Sequence, residues 1–144
     1  MKNFIVIVLI AFSCSCNTAR KTSSAKTLPA ATNPGVCNIK AEILSILPPA
    51  ESDTSNICSK YPCMAKVKIL DIYGCGSAVA LPLNQGSIVE MKFAYTLHST
   101  DIIPNMKAHF PGLKEGDIFW AGVQQRLAMG KAGGFVVYDY DLQK

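Results

Sequence analysis

Residues 37–49, CNIKAEILSILPP, carry the pattern that decides the fold. Ile39, Ala41, Ile43, Ser45 and Leu47 fall on one face at a period of two, as side chains do along a strand. Pro48 and Pro49 then stop the run, because proline cannot donate to a hydrogen-bond ladder. A second run, from about Cys63 to Tyr73, places Ala65, Val67, Ile69 and Tyr73 on one side. An antiparallel hairpin that sets Cys37 opposite Cys75 brings Ile39 to Tyr73, Ile43 to Ile69 and Ser45 to Val67, so the apolar faces agree. Registers shifted by two residues keep the same parity.

The strand pattern continues to the end of the chain. Gly74 and Gly76 suggest a bulge or sharp bend at the end of the second run. Asn84 to Ser87 (NQGS) reads as a turn into a third strand, Ile88 to Leu97, with Val89, Met91, Phe93, Tyr95 and Leu97 pointing one way. Residues 98–116 form a longer connection in which Ile103 to Phe110 has room for one short helical turn. A fourth strand, Ile118 to Leu127, is joined by the loop MGKAGG to a fifth, Phe135 to Leu142, where Val136, Tyr138, Tyr140 and Leu142 alternate with Asp139 and Asp141. No segment carries a sustained helical period.

Five strands over residues 37–144, with a long break between the third and fourth, resemble a five-stranded OB-type barrel; the phrase GLKEGDIFWAGV is similar to the approach to the fourth strand of such barrels. The expected fold is therefore all-β: a small OB-like barrel stapled by disulfides, with a small β-sandwich as the rival. Closure removes the exposed sheet edges that invite aggregation.

The chain has 144 residues, 49% hydrophobic and 17% charged, which places it among single globular domains. Its net charge of +4 is not a property of that domain. Lys2, Arg20, Lys21 and Lys26 precede Cys37 with no acid among them, and from Cys37 onward 10 basic residues balance 10 acidic ones. A nucleic-acid binder carries its positive excess on the folded part, so no nucleic-acid partner is expected.

The N-terminus supplies an address. Lys2 precedes an uninterrupted apolar run of nine residues, Phe4 to Phe12. That is far short of the ~20 needed to span a bilayer and matches the apolar core of an export signal. The run ends in Ser13-Cys14-Ser15-Cys16, which resembles the lipobox of bacterial lipoproteins, where a small residue precedes a cysteine that is acylated and becomes residue one. The resemblance implies a signal peptide over residues 1–15 and lipidation of Cys16, with Cys14 as the alternative. It also implies a membrane partner reached through diacylglycerol and palmitate-type acyl chains, two of which suffice for stable anchoring. Residues 16–36, rich in Ser, Thr, Ala, Pro and Lys, read as a flexible tether with a span of about 25 Å.

Four cysteines remain for the domain, and an exported chain meets an oxidising compartment. Cys37 with Cys75, leaving Cys58 with Cys63 at the loop tip, is the pairing that the hairpin geometry favours among three. Zinc is the alternative, with His98 or His109, but the cysteine spacings match no usual zinc pattern. Cys58 to Cys63 is not a C-x-x-C redox pair. No nucleophile elbow, H-E-x-x-H or phosphate-binding loop occurs, so no enzyme, metal or cofactor is expected. Asp139 and Asp141 read as a solvated face, and Trp120, Tyr95, Tyr138 and Tyr140, at strand period, as core.

In OB-type folds the loop between the first two strands and the loop between the last two flank the binding face. The candidate ligand face is therefore Tyr61, Lys60 and Lys131 with the strand surface between them. The functional expectation is a lipid-anchored, non-enzymatic binding or scaffolding module of the bacterial cell envelope, with an envelope protein or glycan as partner. The alternative is a protease-inhibitor module: NPGVCNIKAEIL resembles the Cys-first opening strand of netrin and TIMP modules, themselves disulfide-stapled OB barrels.

Overall fold

The computed structural model describes residues 33–49, 54–106, 109–126 and 133–143. Five strands run in the order β1 (Val36–Leu47), β2 (Met64–Cys75), β3 (Ile88–Phe93), β4 (Ile118–Gln125) and β5 (Phe135–Leu142), with a helical turn α1 (Ile57–Lys60) before β2 and a 3-10 turn at Thr100–Ile102. They close in the order β1-β2-β3-β5-β4, β1 pairing antiparallel with both β2 and β4 and β3 running parallel to β5. This is the five-stranded OB-like barrel expected from the strand pattern, and the sandwich alternative is excluded.

Inward positions at period two build the core. Ile39, Ala41 and Ile43 of β1, Ala65, Val67 and Ile69 of β2, Met91 and Phe93 of β3, and Phe119, Ala121 and Val123 of β4 are all buried. Each large aliphatic side chain fully withdrawn from water there contributes about 1.5–3 kcal/mol. Phe135, Val137 and Tyr140 complete the cluster from β5.

Both expected disulfides are present, Cys37–Cys75 across the β1–β2 ladder and Cys58–Cys63 in the first loop. The register between them differs from the uniform one. Cys37 does lie opposite Cys75, but Ile39 lies opposite Ile72, Ala41 opposite Ile69 and Ile43 opposite Val67. Tyr73 and Leu70 are each left without a partner residue on β1, and Leu44 without one on β2. Two bulges on the same strand shift the register by two, so the parity that buries the apolar faces returns. The bulges also bend the long strands so that the sheet can close.

Three further expectations change. β3 ends at Phe93, where the chain leaves the ladder: Ala94 N–H donates to the Val137 carbonyl at 2.8 Å, Tyr95 is 40% exposed, and Leu97 folds back into the core. The helical turn of the long connection is at Thr100–Ile102, ahead of Ile103 to Phe110, and α1 forms inside the polar loop because the Asn56 side chain caps it, accepting from Cys58 N–H at 3.0 Å. On β5, a register slip opposite Gly122 turns Val136 and Tyr138 outward while Tyr140 stays inside.

The ordered barrel also starts before Cys37. The Pro34 carbonyl accepts from Ala78 N–H and the Val36 carbonyl from Gly76 N–H, both at 2.8 Å. Gly76 is needed for that close approach: a Cβ there would stand 2.3 Å from the Asn33 carbonyl oxygen. Residues 1–32, which include the expected signal peptide, most of the expected tether, Cys14 and Cys16, lie outside the described residues.

Candidate functional site

The outer surface of β2, β3 and β5 is ruled by the same alternation that fills the core. With Ala65, Val67 and Ile69 inside, Met64, Lys66 and Lys68 face out on β2. Cross-strand pairing sets Ile88 opposite Lys68, Glu90 opposite Lys66 and Lys92 opposite Met64, and Lys92 lies beside Val136 on β5. These rows border a groove of about 510 Å³ lined by Met64, Glu90, Lys92, Arg126, Phe135 and Val136, with Gly134 at its margin. Met64, Phe135 and Val136 make an apolar floor; Lys92, Arg126 and Glu90 make a charged rim.

Two contacts shape the rim. Lys66 Nζ lies 3.9 Å from a Glu90 carboxylate oxygen, both side chains about half exposed, a pair worth little energetically. The Arg126 guanidinium donates to the Tyr138 hydroxyl and lies 5.9 Å from the centre of its ring. This contact exists only because the β5 slip turns Tyr138 outward, and it fixes the direction in which Arg126 projects.

Of the residues expected from sequence to form the ligand face, the two described ones, Tyr61 and Lys60, do not line this groove. Tyr61 follows α1 and packs on His98, ring centroids 5.6 Å apart, so it belongs to the contact between the first loop and the long connection. Lys60 is exposed at the end of α1. Lys131 lies outside the described residues. The groove residues Met64, Lys92 and Arg126 are not among those singled out from sequence, and Val136 is named there only as one of the fifth-strand residues that alternate with Asp139 and Asp141. A signal was present nonetheless, since Phe135, Val136 and Val137 are consecutive apolar residues and one of them had to face out.

The aromatic side chains divide by role. Tyr95 stacks on Phe110 (6.0 Å), Phe110 on Tyr140 (4.9 Å), and Tyr140 meets Phe93 edge-on (6.1 Å), a ladder from the surface into the core. The Tyr140 hydroxyl accepts from Gly112 N–H at 3.1 Å and so ties the long connection to β5. Burial raises the Tyr140 pKa, and the Gly112 bond opposes that shift. Trp120 faces out on β4 yet is only 8% exposed, because Tyr73 lies against it at 5.1 Å and Lys40 Nζ at 5.0 Å.

One trio has the composition of a nucleophilic triad. Asp101 accepts from Ser99 Oγ at 2.9 Å and contacts His109 Nδ1 at 2.9 Å. The carboxylate stands between the other two, so the imidazole is not on the serine and has no proton to take from it. The His109 and Ser99 hydrogen bonds hold the Asp101 carboxyl below its ordinary pKa. Among the described residues no three His, Cys, Asp or Glu side chains converge as metal ligands.

No protein-family model, curated protein or solved structure matches this chain, which leaves the groove's own geometry as the basis for reading its function.

Proposed function

We propose that this chain is a non-enzymatic binding module of the bacterial cell envelope, lipid-anchored through Cys16 (or Cys14), which holds its partner in the β2–β3–β5 groove. The groove carries this reading: a concave, apolar-floored site with a few convergent polar groups is the usual form of a binding site. Its position between the strands flanked by the first and last loops agrees with where OB-like barrels bind. The anchor rests on the charge, short apolar run, small residue and cysteine of the first 16 residues. The protease-inhibitor alternative gains no support from the fold: Cys37 is fully buried and is preceded by residues hydrogen-bonded into the barrel.

Intact mass of the full chain recovered from membranes tests the anchor. The expected result is a chain beginning at Cys16 or Cys14 with a diacylglyceryl-type increment, lost on replacing that cysteine by alanine. An unmodified chain beginning elsewhere would overturn it.

A further inference from the structure

Resting on the groove as a binding site, we infer that its occupant is an acidic polypeptide segment, bound with an apolar side chain on the floor and carboxylates on the rim. The charge of the rim is the first argument. Although the domain as a whole is neutral, among the described residues the groove and the row above it hold Lys66, Lys92 and Arg126 and one carboxylate, Glu90, which pairs with Lys66. Lys68, one row further, lies opposite Glu42 on the β1 side and belongs to the border. The remaining described carboxylates are elsewhere: Asp101, Glu115 and Asp117 on the long connection, Asp139 and Asp141 at the far end of β5, and Asp71 beside Lys40 on the β1–β2 ladder. Such an arrangement favours and steers an anionic partner.

The floor and Glu90 then select among anionic partners. A phosphate or uronate polymer offers negative charge at every repeat and would bring it against Glu90. A peptide brings carboxylates and backbone N–H donors together, so Glu90 gains a partner instead of a repulsion. Single-strand nucleic-acid binders stack bases on exposed aromatic rings. The outward residues here are Met64, Lys66, Lys68, Ile88, Glu90 and Lys92, none of them aromatic, and Tyr138 is occupied by Arg126. A floor of Met64 and Val136 suits an aliphatic side chain, and an unbranched methionine adapts to its shape.

Gly134 provides a test that spares the fold. A Cβ built there meets nothing within 4 Å, so a side chain added at this lining position starts without a steric clash at its base. The full chain in detergent is titrated with fluorescent probes: an alternating Glu-Leu peptide, a Ser-Leu peptide, a Lys-Leu peptide, polygalacturonate and a single-stranded oligonucleotide. The expected result is binding of the Glu-Leu peptide alone, weakened about tenfold by Lys92→Glu and further by added salt, and abolished by Gly134→Trp with the thermal unfolding midpoint unchanged. Preference for another probe that Gly134→Trp also blocks would overturn the acidic-peptide assignment while leaving the groove as the site. Binding of no probe, or binding indifferent to Gly134→Trp, would overturn both.

Discussion

Two outer faces of the barrel carry cations beside aromatic rings, and they are built to opposite ends. On the β1–β4 face, Trp120 sits at an outward strand position and is covered by Tyr73 and Lys40, so the protein's own side chains fill the surface. On the β2–β3–β5 face, the partly exposed Met64 and Val136, itself 8% exposed, occupy outward positions that line a groove. Tyr73 reaches Trp120 because a bulge releases it from the β1–β2 register. Tyr138 leaves the core through a comparable slip on β5 but is turned against Arg126 at the groove's edge. An aromatic side chain pointing outward is therefore not by itself a site; what matters is whether the fold supplies its cover.

The sharpest way to break the closed face is at its end, where Cys37–Cys75 cross-links residues 38 apart. Replacing both by alanine is expected to cost about 4 kcal/mol by the loop-closure relation, against roughly 2 kcal/mol for the Cys58–Cys63 pair, whose loop is much shorter. Urea denaturation of the two double variants checks the order. A smaller loss, about 3 kcal/mol, is expected for Trp120→Ala, which removes the ring on which Tyr73 and Lys40 pack. That variant should keep the wild-type affinity of any groove ligand at temperatures where it is folded. Met64→Ala should behave in the opposite way, costing about 1 kcal/mol or less because the side chain is half-exposed, and weakening the ligand. If both substitutions changed binding alike, the distinction between the faces would fail.

Gly112 tests the cap that lies outside both faces. Its φ is +86° and an added Cβ would lie 2.8 Å from Ser99 N, so Gly112→Ala should destabilise by about 1–3 kcal/mol through backbone strain. It should also loosen the long connection from Tyr140, seen as faster amide exchange over residues 97–103, while the groove strands keep theirs.

The smallest effect is a matter of pH. Asp101 has a folded-state pKa lowered chiefly by its hydrogen bond to His109 and then by Ser99. A depressed carboxyl pKa contributes stability above its unfolded value, and that contribution is lost as pH falls through the folded value. His109→Gln should therefore raise the Asp101 midpoint in a carboxyl-carbon NMR titration, with no measurable change in groove affinity.

Alternation made the strands, the barrel and both disulfides legible, because one parity of each strand is buried and cysteine pairing must agree with it. The bulges at Leu70 and Tyr73 were not legible, since together they shift the register by two and leave the pattern unchanged; the one at Leu44 shifts it by one, so that Ile46, outside the expected face of Ser45 and Leu47, lies opposite Ala65 and packs on the core. The end of β3 was hidden for a related reason. Tyr95 and Leu97 keep the strand period after the chain has left the ladder, one stacking on Phe110 and the other returning to the core through Pro62. The groove was missed because its position depends on the β5 slip, which arises where β4 and β5 meet around Gly122 and not in β5 alone. Tyr61 looked available because its partner, His98, is distant in sequence and adjacent only in the fold.

The central claim is that the open face engages a partner and the closed face does not. Site-specific photocross-linking in the native host cell tests it, with a photoreactive residue placed at Met64 on the open face or at Lys40 on the closed one. The predicted result is a discrete adduct from position 64 that disappears when Gly134→Trp is added, and none from position 40. Equal adducts from both positions, or an adduct from position 40 alone, would contradict the account.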